Sequence, residues 1–242
     1  MTEIKDYIAL FDLDGVILDS EGDYTKFWDE MGKKYLGVSD FGITIKGQTL
    51  VKILGDNYRR EDHEEITTQL MDYESKMPFE YIPGARRFLD ALLRSGVRMA
   101  VVTSSDKTKM SNVYRRHPEF YDIFDRILTS EDFAASKPSP DCYLKGMAAL
   151  GADSAHTVVF EDSISGLISG RDSGATVVAL STTNPVDVVS RYADYVIPDF
   201  SDCSFHQDNL LSVWDGFLRN HPCCLSTRQS YEIYFFYQKN VA

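Results

Sequence analysis

Short apolar runs that alternate with helical patterns are the feature of this sequence that most limits its fold. Each run has about five residues, is rich in β-branched side chains and shows little alternation of apolar and polar residues. Such runs are typical of parallel strands that helices cover on both faces. This alternation of strands and helices along the chain predicts a doubly wound parallel α/β sheet. The predicted strands are 7–11, 99–103, 157–160, 175–180 and 195–197, with a weaker one at 126–128, and the helical patterns lie at 85–95, 140–150 and 164–173.

The segment between the first two predicted strands has a different pattern. Residues 20–80 contain no predicted strand, and glycines separate several stretches with helical spacing. Pro83-Gly84 marks the return of the chain to the sheet. We predict a small all-helical cap domain at 20–80, inserted after the first strand of an α/β core that comprises 1–19 and 81–219. An aromatic stripe in this cap, interpreted as a packing face rather than a cofactor site, consists of Tyr24, Phe27, Trp28, Met31 and Tyr35.

The C-terminal segment 220–242 does not continue the alternation of strands and helices. It is strongly aromatic, with five aromatic side chains between Tyr231 and Tyr237. An added edge strand and a loosely docked tail both fit this composition, and we assign the segment no function.

Charge and composition exclude several classes of partner. The 242-residue chain has a formal net charge of −12, which disfavours nucleic acid and anionic membrane surfaces. No apolar stretch approaches the roughly 20 residues that span a bilayer, and the N-terminus lacks the features of a secretory signal. The four cysteines form no disulfide framework. We expect a cytoplasmic protein with reduced thiols; its oligomeric state stays open, and a monomer is consistent with the sequence.

The first predicted strand ends in the strongest motif of the chain, in which Asp12 and Asp14 are separated by one residue and followed by Gly15. In open parallel sheets, ligands bind at the carboxyl edge of the strands. Gly15 permits a bend that aims both carboxylates at one point. A calcium loop would need further oxygen ligands where Ile17 and Leu18 stand. Taken alone, the motif is equally compatible with a structural Asx turn.

Polar residues also follow other strands of the predicted sheet. Thr103 and Ser104 end the second strand, Lys137 precedes a predicted helix, and Glu161 and Asp162 end the strand at 157–160. Each signal is modest alone, since a strand-end hydroxyl or a loop lysine is usually structural or solvated. Because the carboxyl ends of parallel strands meet at one edge, the signals together predict a common site.

Four carboxylates at one edge require a cation. Like charges about 4 Å apart repel by about 4 kcal/mol per pair at an effective dielectric constant of about 20. A divalent ion offsets this repulsion, and Mg²⁺ is the usual choice for phosphoryl chemistry because it keeps waters and accepts a phosphate oxygen. Together with Lys137, the ion would supply the positive charge that an acidic protein needs to hold a phosphate ester.

The four elements, in this order, resemble the signature of the haloacid dehalogenase superfamily. Asp12-Leu13-Asp14-Gly15 is similar to its first motif, Thr103-Ser104 to its second, Lys137-Pro138 to its third and Glu161-Asp162 to its fourth. The resemblance covers about residues 7–200. It extends to the subgroup of β-phosphoglucomutases and sugar-phosphate phosphatases, which has a helical cap after the first motif. The dehalogenases themselves lack the second aspartate, so Asp14 favours phosphoryl transfer.

The resemblance implies catalytic roles for the motif residues. Asp12 would be a nucleophile that forms an aspartyl-phosphate, and Asp14 would serve as general acid and base. Thr103 and the backbone of Ser104 would hold phosphoryl oxygens. Lys137 would bridge Asp12 and the phosphoryl group.

The resemblance also implies a metal site. Asp12, Asp162 and the backbone carbonyl of Asp14 would ligate Mg²⁺. Glu161 would support this shell directly or through water.

Two positions bear on the choice between a phosphatase and a mutase. The β-phosphoglucomutases carry a histidine just after the first motif and an arginine in the cap that holds a second phosphate. Tyr24 and Leu50 stand at those positions here, and both departures favour hydrolysis. We predict a Mg²⁺-dependent phosphatase for a small phosphorylated metabolite such as a sugar phosphate, with a β-phosphoglucomutase-type mutase as the alternative. Lys46, Gln48 and Lys76 are candidate cap contacts to the substrate, although each also fits a solvated surface.

A regulatory or binding protein on the same scaffold is a third interpretation. It predicts the loss of at least one catalytic residue, and the motifs lack none. A phospho-accepting receiver domain would place its acidic residues in another order and without a cap. The identity of the substrate depends on cap residues whose positions in space the sequence does not predict.

Overall fold

Six parallel strands form one sheet in the part of the chain that the structure describes. The computed structural model describes residues 7–46, 48–201 and 203, so the segment 220–242 lies outside the described residues. The strands are β1 (Ile8–Phe11), β2 (Arg98–Val102), β3 (Arg126–Leu128), β4 (Thr157–Glu161), β5 (Thr176–Leu180) and β6 (Tyr195–Ile197). Their order across the sheet is β3-β2-β1-β4-β5-β6, and every neighbouring pair is parallel. The chain winds outward from β1 in both directions, which confirms the predicted doubly wound sheet.

The strand β1 is completely buried because apolar layers cover both faces of the sheet. Ala9 and Phe11 belong to one layer, and Ile8 and Leu10 belong to the other. Phe11 stacks on Phe160 of β4, with ring centroids 4.7 Å apart. Burial on both faces explains the continuous apolar run, and each large side chain contributes about 1.5–3 kcal/mol by leaving water.

Helices supply both apolar layers. The described helices are α1 (Glu21–Met31), α2 (Phe41–Thr44), α3 (Leu50–Asn57), α4 (His63–Lys76), α5 (Ala85–Arg94), α6 (Lys107–Arg116), α7 (Phe120–Ile123), α8 (Asp141–Leu150), α9 (Ile164–Asp172) and α10 (Val186–Val189). Helices α5, α6 and α7 pack on the face that contains Phe11, and α8, α9 and α10 pack on the opposite face. None of these helices combines the length and apolar character that a membrane crossing requires.

The sequence patterns do not predict helix α6. It begins after Asp106, whose carboxylate accepts a hydrogen bond from the backbone N–H of Lys109 at 2.8 Å. An aspartate in this position satisfies one of the free N–H groups of the first turn. Only Met110 and Val113 give the helix a buried apolar stripe, which is too short to stand out as a pattern.

Helices α1 to α4 form a cap with its own apolar core, and the described residues between 21 and 76 contain no strand. The predicted all-helical cap after the first strand is therefore confirmed, and its aromatic stripe is a packing face. This cap core consists of Phe27, Trp28, Met31, Phe41, Ile45, Ile53, Leu54, Tyr58, Ile66 and Leu70, with Tyr24 and Tyr35 packed against it.

Two adjacent segments connect the cap to the sheet. The backbone N–H of Asp19 donates to the carbonyl of Glu80 at 2.8 Å, and that of Ile82 donates to Ile17 at 2.9 Å. These bonds join the entry and exit of the cap just beyond β1. We retain 20–80 as the proposed extent of the cap, because both limits fall at this junction.

Gly84 provides a test of how the chain re-enters the core. Its φ is +79°, and a Cβ atom there would lie 2.3 Å from the backbone of Phe200. We expect Gly84→Ala to lower the free energy of unfolding by at least about 2 kcal/mol in urea denaturation, because strain and a backbone clash combine. Gly55→Ala is the matched control. Gly55 lies inside α3 with open space around it, so this change should stabilise the protein by about 0.5–1 kcal/mol. Equal effects of the two changes on the free energy of unfolding would show that the positive φ and the contact with Phe200 do not require glycine at position 84.

Candidate active site

The predicted motif residues meet at the carboxyl edge of three adjacent strands. Asp12 follows β1, Thr103 follows β2, and Glu161 is the last residue of β4. Phe11 pairs in register with Phe160 on one side and with Val101 on the other, so the residues that follow them are neighbours. The loop before α8 adds Lys137 to the same place through its contacts with Asp12 and Glu161.

Lys137 lies at the centre of this edge, with 2% of its surface exposed. Its Nζ donates to Asp12 Oδ1 at 2.6 Å, to Glu161 Oε1 at 2.6 Å and to the carbonyl of Val102 at 3.1 Å. Burial opposes its charge, but Asp12 and Glu161 hold the pKa of Lys137 well above its usual range. The lysine is therefore a fixed buried ammonium group that offsets part of the acidic charge.

Glu161 is held by hydrogen bonds to both of its carboxylate oxygens. Oε1 accepts from Lys137 and from the hydroxyl of Tyr143 at 2.8 Å. Oε2 accepts from the backbone N–H groups of Asp162 and Ser163 at 3.0 and 3.1 Å, and from the Ser163 hydroxyl at 3.0 Å. A Cβ atom on Gly166 would lie only 1.8 Å from Oε1, so α9 can approach this carboxylate only with glycine there. These contacts favour a supporting role for Glu161 over direct metal ligation.

The buried oxygens of Asp12 and Asp162 fit a divalent cation. Carboxylate oxygens of Asp12, Glu161 and Asp162 lie within 4.8 Å of one another. Oδ2 of Asp162 is buried and has no hydrogen-bond partner among the described residues. A buried oxygen acceptor without a donor is costly, and a hard cation satisfies it.

The electrostatics of the two aspartates agree with this fit. Burial, which outweighs the attraction of Lys137, raises the pKa of Asp12 to about 7. Burial and the neighbouring charges of Glu21 and Glu161 raise the pKa of Asp162 well above its usual range. Both carboxyl groups therefore need an additional positive charge to stay ionised at neutral pH.

Gly15 allows the loop after β1 to approach Asp162. Its φ is +75°, and a Cβ atom would lie 2.1 Å from Asp162 Oδ2. The loop after β5 fixes the two backbones. Thr182 Oγ1 donates to the carbonyl of Gly15 at 2.5 Å, and Asn184 Nδ2 donates to the carbonyl of Asp162 at 2.9 Å. The sequence motifs give no indication of these two supporting residues.

Three hydrogen-bond donors orient Asp14, and no sequence motif indicates any of these contacts. Oδ1 accepts from the hydroxyl of Ser20, and Oδ2 accepts from Ser105 Oγ at 3.1 Å and from Lys109 Nζ at 2.5 Å. Lys109 is 5% exposed and lies in the first turn of α6, where the helix dipole disfavours a cation. The sequence does not single out Lys109, because Lys107 stands in the same turn and is exposed.

The predicted phosphate-binding residues border the same site. Thr103 is buried, and its Oγ1 accepts a hydrogen bond from the backbone N–H of Ser105 at 3.0 Å. Thr103 and Ser104 both line the cavity between the cap and the sheet.

This cavity has a volume of about 100 Å³ and is lined by residues of both domains. Tyr24, Lys46, Gln48 and Leu50 of the cap line it, together with Asp12, Asp14, Thr103, Ser104, Lys109 and Asp162 of the core. Lys76 does not line the cavity, and its position fits the solvated surface that was the alternative for this residue. Lys76 lies on the exposed side of α4, where it forms an ion pair with Asp72 at 2.6 Å.

A contact between the cap and the core lies above Asp14. The Tyr24 hydroxyl donates to Glu74 Oε1 at 2.8 Å, and Lys109 Nζ lies 4.0 Å from the centre of the Tyr24 ring. Glu74 is 5% exposed, and burial raises its pKa. Lys109 therefore contacts the predicted acid/base group of the core and an aromatic ring of the cap at the same time.

Comparison with protein families identifies the chain. Residues 9–180 match the family model described as haloacid dehalogenase-like hydrolase. The chain belongs to this hydrolase family. The family that the motifs predict is therefore confirmed, and with it the expectation of an enzyme.

Relatives in this family include phosphatases and mutases. A bifunctional riboflavin kinase/FMN phosphatase of Arabidopsis thaliana is 27% identical over 80% of this chain, which spans 53%, about half, of that relative. The validoxylamine A 7'-phosphate phosphatase of Streptomyces hygroscopicus subsp. limoneus is 24% identical, and the matched region covers 81% of this chain and 94% of that protein. A β-phosphoglucomutase of Mycobacterium tuberculosis is 25% identical, and the matched region covers 80% of this chain and 90% of that protein. The crystal structure of a family IA hydrolase from Entamoeba histolytica, 24% identical, matches the fold with a TM-score of 0.71 over 86% of this chain and 99% of that chain.

The raised pKa of Asp12 predicts how pH and metal affect stability. A folded-state pKa of about 7, against an ordinary value of 3.8, means that the folded metal-free protein binds more protons than the unfolded chain. This contribution to stability is present below about pH 4 and is lost as the pH rises through 7. Mg²⁺ binds the ionised form, so we expect it to raise the melting temperature by about 5 °C at pH 7.5, when present at about 100 times its Kd, and by less at pH 5.

Asp162→Asn tests whether the carboxylates cause this effect. The change removes a buried ionisable group whose Oδ2 has no hydrogen-bond partner among the described residues, so the variant should be at least as stable as the native protein in EDTA at pH 7.5 and should lose the response to Mg²⁺. A Mg²⁺ response that is equal at the two pH values, or that persists in Asp162→Asn, would contradict the assignment of the site.

Proposed function

We propose that the protein is a Mg²⁺-dependent phosphatase that hydrolyses a small phosphorylated metabolite, such as a sugar phosphate, through an aspartyl-phosphate on Asp12. The observation that carries this proposal is the 2.6 Å contact of buried Lys137 with Asp12, beside the unpartnered oxygen of Asp162. A carboxylate nucleophile that attacks a phosphate dianion needs positive charge on both sides of the reacting atoms. Lys137 supplies one such charge, and the pair Asp12–Asp162 provides a place for the other.

The first half-reaction transfers the phosphoryl group to Asp12. A carboxylate oxygen of Asp12 attacks phosphorus, and the bond from phosphorus to the leaving oxygen breaks. Asp14 gives its proton to the leaving alkoxide, so the product departs as an alcohol. Asp14 enters this step as the carboxylic acid and leaves it as the carboxylate, and Ser20, Ser105 and Lys109 hold its side chain in one orientation.

The second half-reaction releases phosphate. Water attacks the phosphorus of the aspartyl-phosphate, Asp14 takes the proton of this water, and Asp12 leaves as a carboxylate. Lys137 and Thr103 stabilise the phosphoryl oxygens in both steps. Mg²⁺, held by Asp12, Asp162 and the carbonyl of Asp14 and supported by Glu161, would neutralise charge on these oxygens.

Two cap residues support hydrolysis over a mutase reaction. Tyr24 and Leu50, the residues at the mutase histidine and arginine positions, both line the cavity. A mutase must hold a bisphosphate in two orientations, and a leucine supplies no charge for the second phosphate. The alternative, transfer of the phosphoryl group to another sugar hydroxyl, predicts conversion of β-glucose 1-phosphate to glucose 6-phosphate after priming with a bisphosphate.

The size of the cavity bears on substrate entry. A volume of about 100 Å³ is below the roughly 300–1,000 Å³ of usual ligand pockets. We infer that the cap moves away from the core to admit a sugar phosphate. The paired segments near Asp19 and Glu80, which are the connections between the two domains, are the place for this motion.

Phosphate release tests the proposed reaction directly. With a panel of sugar phosphates and a generic phosphate ester, we expect release in Mg²⁺ and its loss in EDTA. Asp12→Asn should lower kcat by at least about 1,000-fold, because the nucleophile is removed. No metal-dependent release from any ester would defeat the phosphatase proposal. Full turnover by Asp12→Asn would defeat the assignment of the nucleophile.

Lys109 is expected to affect turnover through Asp14. Lys109→Met removes the ammonium group that holds Asp14 Oδ2, and we expect kcat to fall by about 10- to 100-fold in the phosphate-release assay. Lys107→Met is the matched control, because Lys107 is exposed in the same helical turn and does not line the cavity. An equal loss in the two variants would show that destabilisation of α6, rather than the orientation of Asp14, causes the effect.

A further inference from the structure

The charge on the cavity wall is strongly unbalanced. Among residues 7–46 and 48–201, six carboxylates and two ammonium groups line the cavity, whereas no arginine or histidine does. Lys137 adds a third ammonium group behind Asp12, and the proposed Mg²⁺ adds two positive charges. These five positive charges are one fewer than the six lining carboxylates, so they leave no surplus for a second anionic group on the substrate. The carboxylates are Asp12, Asp14, Glu21, Glu74, Asp106 and Asp162, and the two lining ammonium groups are Lys46 and Lys109.

Both lining ammonium groups already have carboxylate partners. Lys46 Nζ lies 3.4 Å from Glu21 Oε2, and Lys109 Nζ lies 2.5 Å from Asp14 Oδ2. Lys109 also lies against the Tyr24 ring. If either lysine turned toward an anion on the substrate, it would leave a half-buried or buried carboxylate without its partner, which is costly. Neither lysine is therefore available for a second phosphate or a carboxylate.

The cap side of the cavity presents hydrogen-bond acceptors and apolar surface. Glu74 is buried, and among the described residues its Oε1 accepts only from Tyr24, so the carboxylate can accept further hydrogen bonds. Carboxylate oxygens are good acceptors for hydroxyl groups. Trp28 and Leu50 supply apolar surface in the same wall. An uncharged carbon skeleton with hydroxyl groups matches this combination.

We propose that the cap side of this cavity selects phosphate monoesters whose leaving group carries no second anionic group, and that Glu74 is a specificity-determining residue. The inference rests on the proposed phosphatase function and narrows its substrate class. A second phosphate or a carboxylate in this position would face Glu74, Glu21 and Asp106, and the part of the chain that the structure describes offers no free cation there. An uncharged polyol would instead donate hydrogen bonds to the same carboxylates.

Paired esters that differ in charge test the selection. The pairs are glycerol 1-phosphate with 3-phosphoglycerate, glucose 6-phosphate with 6-phosphogluconate, and fructose 6-phosphate with fructose 1,6-bisphosphate. Within each pair that is hydrolysed, we expect kcat/KM to be at least about tenfold higher for the ester with the uncharged leaving group. Equal values, or a preference for the anionic member, would overturn the inference.

Glu74→Gln tests the assigned residue. The change keeps the shape of the side chain and an acceptor for the Tyr24 hydroxyl, but it removes the charge. We expect the ratio of kcat/KM within a pair to fall at least about threefold, and a ratio is not altered by loss of folded protein. Glu64→Gln is the control, since Glu64 is exposed on the same helix and outside the cavity. An unchanged ratio in Glu74→Gln would overturn the role of Glu74.

Binding measurements separate this inference from the proposed reaction. Isothermal titration calorimetry of Asp12→Asn with Mg²⁺ and each ester measures selection without turnover. Tighter binding of the uncharged members, without phosphate release by the native protein, would support the selection and overturn the phosphatase. Phosphate release without discrimination would overturn the selection alone, and absence of both would overturn both.

Discussion

The buried ammonium group of Lys137 is the contact on which the rest of the site depends. It lies 2.6 Å from both Asp12 and Glu161, which would otherwise repel each other across the carboxyl ends of β1 and β4. Removal of one partner from such a buried set leaves an uncompensated charge, at a cost of about 3–5 kcal/mol. Glu161 in turn holds Tyr143 of α8 and the N-terminal turn of α9. The ion cluster therefore joins the strand ends to the helices on one face of the sheet.

A second charged contact joins the core to the cap. Lys109 contacts Asp14 and the ring of Tyr24, whose hydroxyl binds Glu74. The same lysine therefore orients the proposed acid/base group and contacts the wall that would surround the leaving group. In this arrangement, one charged network contacts both Asp14 and the cap residues that we propose to select the leaving group. The lysine lies in a helix of the core, so its contact with Tyr24 exists only while the cap covers the sheet.

The strand-end residues were predictable because their positions follow from local sequence. A buried strand must be apolar, so Asp12 and Glu161 stand out where the strands end, and parallel register brings them together. Gly15 belongs to the same local motif as Asp12. The structure gives the physical reason for the glycine, because Asp162 leaves no room for a side chain there. The contacts of the cap were less predictable. Lys46 and Gln48 line the cavity, whereas Lys76 lies on the solvent side of α4, because its direction depends on how that helix packs.

The sequence by itself determined the parallel sheet, the inserted helical cap and the motif that places Asp12, Asp14, Lys137 and Asp162 at one edge. These features follow from periodicity and from the meeting of strand ends, which need no knowledge of distant contacts. Only the tertiary structure decided the partners of Asp14. One of them, Lys109, lies 95 residues further along the chain. The tertiary structure also decided that Glu74 is buried beside the cavity. Long-range ion pairs depend on the packing of whole helices, and no local spacing records that packing.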